Sequence, residues 1–216
     1  MEVVHMPRIY FYKLTGDDGG APCMHDGLLS LAICKPVIRR TAQQGDVIIG
    51  FAANSLNKDN HLIYIARVTT KLCNGDYYKD ALYCQRGDCI YTFQGDCFVW
   101  KPGALHHGPG DLPHDIGLHP DYARANILLS TDFRYFGDAG SDEYKYRYPL
   151  VCEAVSCLGR GHRVEHTAHL RDELLRMIDW VWQTAQTRRS GHLANTSRRC
   201  TCQRAVSRAR AARRCM

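Results

Sequence analysis

The chain of 216 residues is long enough for one domain with a full hydrophobic core. Its 45% hydrophobic and 23% charged residues are close to globular averages, which excludes a disordered, collagen-like or coiled-coil chain as a whole. The net charge of +6 is uneven, because residues 188–216 carry nine arginines and no acidic residue, which leaves −3 for residues 1–187. A mildly acidic body is poorly suited to gripping a duplex through a broad phosphate-binding face.

The first half of the chain alternates apolar segments with polar and glycine-rich turns. Residues 47–53 and 62–68 are near-continuous apolar runs, which predicts two central strands buried on both faces. The apolar segment 28–34 can form a strand or a buried helix, whereas Pro36 favours a short helix over residues 35–43. The other expected elements are a first strand at 8–14, a loop with three glycines at 15–23, and one or two helical turns at 77–83.

The second half combines a hairpin with further strands and two longer helices. A Gln-Gly-Asp turn at 94–96 predicts a hairpin between strands at 90–93 and 97–100, because glycine reaches the positive φ that such turns need. Residues 102–121 are a long stretch rich in Gly, Pro and His, either a functional loop or a family insertion. Strands at 126–130 and 133–136 and helices at 149–158 and 168–186 complete the elements.

This pattern predicts an α+β fold with a small curved mixed sheet or an open barrel, flanking helices and a C-terminal helix. The domain is expected to span residues 1–187. Residues 188–216 contain few large apolar side chains, which predicts a disordered Arg-rich tail. Such a tail can bind phosphates, or it can be an extension without a role.

The eleven cysteines are expected to be reduced thiols, because their number is odd and no export signal precedes them. No segment approaches the roughly 20 apolar residues that a membrane helix needs. We therefore expect a cytoplasmic protein without a membrane partner. Six thiols in or beside apolar segments are expected to be small core residues, namely Cys23, Cys34, Cys73, Cys89, Cys97 and Cys152.

Whole stretches of the sequence carry a family pattern: residues 8–14, 19–39, 41–55, 62–68, 129–137 and 158–163. They resemble the nucleotide modification associated domains of the second or third type, from about Arg8 to Trp182. The resemblance implies an enzyme or an accessory module of nucleotide modification, of the kind found with phage and bacterial DNA-processing proteins. A weaker, topological resemblance rests on the Gly45-Asp46 pair that opens a strand after a helix. It is to the PUA-like barrels, including the EVE, YTH and ASCH groups.

The glycine-rich loop supplies the first candidate site residues. Cys23 is a candidate nucleophile, and His25 and Asp26 follow closely enough to activate its thiol if the turn folds them together. Alternatively, Cys23 anchors the loop in the core and His25 is structural. The small and acidic residues of the loop are expected to contact a bound nucleotide: Asp17, Asp18, Gly19 and Gly20.

Two groups of basic residues are candidate phosphate ligands. Lys35 and Arg39 lie at a predicted helix start, where cationic side chains and backbone N–H groups can hold an anion. The alternative is that they belong to a solvated helix face. Arg160 and His162 lie in a basic glycine-containing loop that also suits phosphate contact, although a glycine after a helix is an ordinary stop signal.

A second set of polar and aromatic residues is suited to a base. Asn54 and Ser55 end a buried strand and can read the edge of a base or simply cap the strand. Asp132 is a candidate catalytic carboxylate in a turn-to-strand transition. Aromatic and arginine planes beside it can stack a flipped base, or they can be core residues on one strand face: Phe133, Arg134 and Tyr135.

The sequence contains no recognisable metal or cofactor motif. Two sets of potential metal ligands lack zinc-site spacing, namely His106, His107, His114 and His119 in one loop and Cys200, Cys202 and Cys215 near the end. A P-loop, a G-x-S-x-G nucleophile elbow and a dinucleotide fingerprint are not found in the sequence. The cofactor, the substrate base and the reaction type are therefore left open.

Three functions agree with this sequence. The first is an enzyme that binds a nucleotide or an extruded DNA or RNA base in a pocket of loop and strand-end residues and modifies it. The second is a non-catalytic PUA-like reader of modified bases. The third is an accessory protein that assembles with DNA-modification enzymes.

Overall fold

The computed structural model describes residues 6–185, which form an α+β arrangement of eleven strands and six α-helices. The strands are β1 (Ile9–Leu14), β2 (Cys23–His25), β3 (Leu28–Leu31), β4 (Val47–Ala52), β5 (Leu62–Arg67), β6 (Thr70–Leu72), β7 (Tyr91–Gln94), β8 (Cys97–Trp100), β9 (Ile127–Ser130), β10 (Asp132–Tyr135) and β11 (His162–Arg163). The helices are α1 (Pro36–Thr41), α2 (Asp76–Lys79), α3 (Leu112–Asp115), α4 (Tyr144–Arg147), α5 (Pro149–Ser156) and α6 (Ala168–Thr184). Short 3-10 turns lie at Ala81–Tyr83 and Pro109–Asp111.

The strands form two main sheets and one hairpin. The first sheet has the order β10-β5-β4-β1-β11, in which β1 and β4 are parallel and the other pairs are antiparallel. The second has the order β2-β3-β9-β6, and β7 and β8 form the hairpin. The predicted α+β class with a mixed sheet is confirmed. Both main sheets have open strand orders, so the resemblance to PUA-like barrels stays a prediction.

The first sheet is the central layer because its strands are apolar on both faces. Ile9 and Phe11 of β1 pack with α5 and α6 in one hydrophobic cluster. Tyr10 and Tyr12 point to the opposite face and pack against the second sheet and Ile38 of α1. Every residue of β4 is buried, as its continuous apolar run predicts. Helices, first sheet and second sheet therefore form three successive layers.

A third cluster covers the outer face of the second sheet. Tyr78 of α2, Tyr91 and Phe98 of the hairpin, and Ile116 after α3 pack there against Leu129 of β9. The stretch predicted as one long connection, residues 102–121, thus contains a 3-10 turn and α3 and contributes to the core. Strands β2, β6 and β11 and helix α4 were not predicted.

Several predicted boundaries differ from those observed by one or two residues. The segment 28–34 is a strand only as far as Leu31, and a turn follows before α1. Cys73, expected in the core, is exposed. No helix within residues 6–185 is long and apolar enough to cross a membrane. The predicted tail at 188–216 lies outside the described residues.

Candidate active site

A cysteine, a histidine and an aspartate that are far apart in sequence meet in one hydrogen-bonded row. Cys34 Sγ lies 3.2 Å from His107 Nε2, and His107 Nδ1 lies 2.5 Å from Asp115 Oδ2. In this row the imidazole can take the thiol proton, while the carboxylate fixes the tautomer and stabilises the imidazolium that forms. Cys34, His107 and Asp115 are called the thiol triad below.

The turn between β3 and α1 presents Cys34. Cys34 and Lys35 both have left-handed backbone conformations, with φ of 56° and 43°, and Pro36 then begins α1. His107 is also left-handed, with φ of 52°. Each such residue costs about 1 to 2 kcal/mol relative to the right-handed region. Non-glycine residues in sparsely populated conformations concentrate at active sites, where surrounding contacts enforce them.

The acid is the most buried member of the triad. The Asp115 side chain is 3% exposed and that of His107 is 26% exposed, and Cys34 is half-buried. Asp115 is held in place by the Tyr91 hydroxyl, which donates to Oδ2 at 2.7 Å, and by the Cys34 N–H, which donates to Oδ1 at 3.3 Å. The orienting carboxylate is thus shielded from water, whereas the nucleophile can be reached.

Arg39 lies directly behind the triad and is fully buried. Its guanidinium donates to the Cys34 carbonyl at 2.6 Å and to the Asp115 carbonyl at 2.7 Å. It also donates to the carbonyls of Arg124 and Asn126. The predicted phosphate ligand is therefore a clamp that ties the turn of the nucleophile to the segment of the acid, and the structure places it in neither a solvated helix face nor an open anion site.

Electrostatics keep Cys34 protonated in the resting site. Burial is the main cause that raises the pKa of the thiol, and the Asp115 charge adds to it, whereas the charges of Lys35 and Arg39 act in the opposite direction. A protonated thiol is a poor nucleophile, so a base must remove its proton as it reacts. His107 is the group placed to provide it.

Lys35 brings a positive charge close to the thiol. Its Nζ lies 4.7 Å from the centre of the Tyr12 ring, and the Tyr12 hydroxyl lies 2.9 Å from that of Tyr64. Burial lowers the pKa of Lys35, and the neighbouring Cys34 thiolate acts against this. Burial and then the Lys35 charge lower the pKa of His162, so the predicted ligands Lys35 and His162 lie within electrostatic reach of each other.

The glycine-rich loop forms the other side of this region. Gly20 packs against the His106 ring, since a Cβ added at Gly20 would meet that ring at 2.9 Å. Asp18 accepts the Gly20 N–H at 3.1 Å and lies 3.9 Å from His106 Nδ1. Asp17 accepts a 2.6 Å hydrogen bond from the Tyr135 hydroxyl. Gly19 is left-handed, with φ of 84°.

The predicted nucleophile Cys23 lies in a different, buried network. Burial is the main cause that raises the pKa of Cys23 to about 12, and the Asp88 charge contributes. Arg86 donates to the Cys23 carbonyl and to Ser30 Oγ, and Asp88 accepts from Ser30 and Tyr77. This network anchors the hairpin of β2 and β3. The Arg-Gly-Asp tripeptide at 86–88 therefore has a structural role, because Arg86 and Asp88 are both members of this network.

His25 and Asp26 contact each other at the exposed end of this hairpin, away from the Cys23 thiol. His25 Nε2 lies 3.1 Å from Asp26 Oδ2, and both residues are exposed, whereas Cys23 is buried. Neither side chain contacts the thiol in the described residues. The structure therefore supports the structural alternative for Cys23 and not its activation by these two neighbours.

Four further predicted residues have their own partners. Asp132 accepts from Trp182 Nε1 at 2.6 Å and pairs with Arg67 at 2.9 Å. Arg134 donates to backbone carbonyls at the end of α6. Asn54 accepts from Asn60, and Ser55 donates to the Thr15 carbonyl. Within residues 6–185, no hydrogen bond joins any two of the predicted set Cys23, Arg39, Asn54 and Asp132, so a single cleft formed by these four stays a prediction.

The remaining predictions divide between core and surface. Phe133 and Tyr135 share one buried face of β10, as strand alternation predicts. Arg160 is exposed. Within the described chain, no group of three or more His, Cys, Asp or Glu side chains is arranged to hold a metal ion.

The thiol triad escaped the sequence-based prediction because its members are 73 and 8 residues apart and only the fold joins them. Two signals pointed in its direction. A Cys-Lys-Pro sequence between an apolar strand and a helix is a strand–turn–helix arrangement that can expose a nucleophile. Paired histidines in a long Gly/Pro loop are the second signal, and the metal interpretation was the only use considered for them.

The chain is thus an α+β protein in which a cysteine, a histidine and an aspartate form one hydrogen-bonded row. A sequence model of the family named nucleotide modification associated domain 2 matches residues 6–195. The chain belongs to this family, and the resemblance inferred from its sequence is confirmed. No curated protein and no solved structure is significantly similar to it.

Proposed function

We propose that this protein is a nucleotide-modifying enzyme that acts through a covalent intermediate on Cys34. The single observation that carries the proposal is the row of Cys34, His107 and Asp115, with distances of 3.2 and 2.5 Å. The family supplies the association with nucleotide modification. The triad supplies the nucleophile and its base, in place of the candidates Cys23, Asp26 and Asp132 that sequence spacing favoured.

The chemistry follows from the two ring nitrogens of His107. Nε2 accepts the thiol proton as the sulfur attacks. Nδ1 keeps its own proton, because its N–H donates a hydrogen bond to the Asp115 carboxylate. Asp115 stays ionised and offsets the positive charge of the imidazolium. A positioned general base of this kind contributes about 100- to 10,000-fold to a rate.

The binding side of the site is the region between the glycine-rich loop and Lys35. Lys35 and His162 are the groups we assign to a phosphate of the nucleotide, because a lysine ammonium group binds phosphate oxygens well and a neutral imidazole can donate one N–H beside it. Asp17 and Tyr135 form a hydrogen-bonded pair that we assign to the sugar or the base. The backbone of Gly19 and Gly20 allows close approach of a ligand.

We also propose a cellular location and partners for the protein. The expected cytoplasmic location would keep such a thiol reduced. The partners expected from the family are nucleotides, DNA or RNA bases, and other enzymes of a DNA-modification system. A reader of modified bases or an accessory assembly protein would have no use for a nucleophile with a positioned base.

Alkylation by iodoacetamide, mapped by peptide mass, tests the nucleophile. We expect His107→Asn to slow alkylation of Cys34 by about 100-fold, the lower end for a positioned base. His114→Asn is the matched control, since His114 is an exposed histidine on α3. Equal rates in wild type and His107→Asn would show that the imidazole does not activate Cys34, and the proposal would fail.

Deoxynucleoside 5′-monophosphates and DNA test the substrate side. We expect the nucleotides to slow the alkylation of Cys34 and not that of exposed Cys73. Mass spectrometry of nucleotides and DNA after incubation should show products that Cys34→Ala abolishes and Cys73→Ala retains. Products that persist in Cys34→Ala and disappear in Cys23→Ala would restore the original assignment. Protection of Cys34 with chemically intact DNA would favour the reader.

A further inference from the structure

The position of the His107 imidazole on the nucleophile distinguishes two reactions open to a cysteine that acts on a nucleotide. The thiol can add to an electron-poor ring carbon of a base, or it can displace a leaving group from an acyl carbon. In an addition, no group leaves from the attacked carbon. In a displacement, the leaving amine or alkoxide departs next to the sulfur and must receive a proton.

We infer that Cys34 reacts with acyl carbons, so that the substrates are nucleotides in which an amide or ester bond is opened or an acyl group is transferred. This inference rests on the proposed function and deepens it. The observation behind this inference is that His107 Nε2 contacts the sulfur itself, at 3.2 Å. A leaving group on the attacked carbon would lie beside the sulfur, within reach of the same nitrogen that removes the thiol proton. An orienting carboxylate at 2.5 Å then stabilises the imidazolium through both proton transfers.

The backbone of the nucleophile supports the same reaction class. Cys34 occupies a left-handed position in a strand–turn–helix arrangement, between β3 and α1. In strand–turn–helix nucleophile turns, the N–H of the residue after the nucleophile donates to the oxyanion of an acyl intermediate. That residue is Lys35, whose ammonium group adds a positive charge close to Cys34. Developing negative charge on an acyl oxygen is stabilised by such fixed donors.

The reaction proceeds in two balanced steps. In the first, the Cys34 thiol gives its proton to His107 Nε2 and its sulfur electron pair forms a bond to the acyl carbon. The bond from that carbon to nitrogen or oxygen breaks, and the leaving group takes the proton from His107. In the second step, water or an amine gives a proton to His107 and attacks the thioester. The sulfur leaves and is reprotonated, which restores the thiol.

An activated ester tests the inference with the full chain. We expect p-nitrophenyl acetate to give a stoichiometric burst of p-nitrophenolate and one acetyl group on Cys34, located by peptide mass. Neutral hydroxylamine should remove this group, because it cleaves thioesters and leaves acetyl-lysine intact. Cys34→Ala should lose the burst, and His107→Asn should slow it about 100-fold. Cys73→Ala and His114→Asn are the controls and should react as wild type does.

The outcomes separate this inference from the proposed function. If iodoacetamide alkylates Cys34 with dependence on His107 but p-nitrophenyl acetate leaves no hydroxylamine-labile acetyl group there, the acyl assignment is overturned and the nucleophile stands. An acetyl group found only on lysines or on Cys73 has the same consequence. If alkylation is independent of His107, the nucleophile itself is wrong and the inference falls with it.

Discussion

Replacement of Arg39 by methionine should both destabilise the protein and uncouple the thiol triad. The guanidinium is fully buried and donates to four backbone carbonyls, two of which belong to Cys34 and Asp115. Methionine fills a similar space without a donor. Four carbonyls lose a partner at about 1 kcal/mol each, which gives a loss of about 4 kcal/mol in the free energy of unfolding.

Urea unfolding followed by circular dichroism measures the stability part. With an m-value of about 2 kcal/mol per M, the loss corresponds to a midpoint about 2 M lower. Arg40→Met is the matched control, because Arg40 is the next residue of α1 and is exposed. A surface substitution of this kind changes stability by less than about 0.5 kcal/mol. Arg39→Lys keeps the charge but not the fork of donors, and it should fall between the two.

The coupling part is measured on the native protein by alkylation of Cys34. In Arg39→Lys, the turn that carries Cys34 and the segment that carries Asp115 are less firmly joined. His107→Asn should therefore slow the alkylation of Cys34 by a smaller factor in Arg39→Lys than in the wild type. An Arg39→Met midpoint equal to that of Arg40→Met would refute the clamp. An undiminished His107 effect in Arg39→Lys would refute its role in positioning, whatever the stability.

Two further substitutions test the surroundings of the thiol. Lys35→Met should shift the pH profile of Cys34 alkylation to higher pH, because the Lys35 charge lowers the thiol pKa against the raising effect of burial; an unchanged profile would place the ammonium out of reach. Gly20→Ala should lower the free energy of unfolding by about 1 to 3 kcal/mol in urea titrations, since its Cβ would meet the His106 ring at 2.9 Å. Gly159→Ala, where a Cβ meets nothing within 4 Å, is the control and should be nearly neutral; equal losses in both would contradict the packing argument.

Elements that show a regular hydrophobic pattern within their own sequence could be predicted. The apolar run at 47–53 corresponds to β4, and its burial on both faces follows from the absence of polar residues along it. In α6, the stripe of Leu170, Leu174 and Met177 is buried as the 3.6-residue period predicts. Strand β6 and the two-residue β11 have no such period, because their pairing with β9 and β1 defines them.

The candidate site was predicted only in part, for the same reason. Asp17 and Asp18 were predicted as loop residues of the site and Lys35 as a phosphate ligand at a helix start, and the charges of Lys35 and Asp18 both act on the Cys34 thiol. Cys34 itself was assigned to the core, since an apolar neighbourhood is the usual setting of a free cysteine. Arg39 was interpreted from its charge, and charge alone does not reveal that the fold surrounds a guanidinium with carbonyl groups.

A purely structural role for the thiol triad does not account for its geometry. A hydrogen-bonded His–Asp pair can stabilise a loop, but that pair needs no thiol on its outer nitrogen. Cys34 and Lys35 together hold two consecutive left-handed conformations, at a cost of about 1 to 2 kcal/mol each. The buried Arg39 clamp maintains this strained turn. A strained turn that holds one half-buried thiol next to one imidazole is what the proposed nucleophile requires.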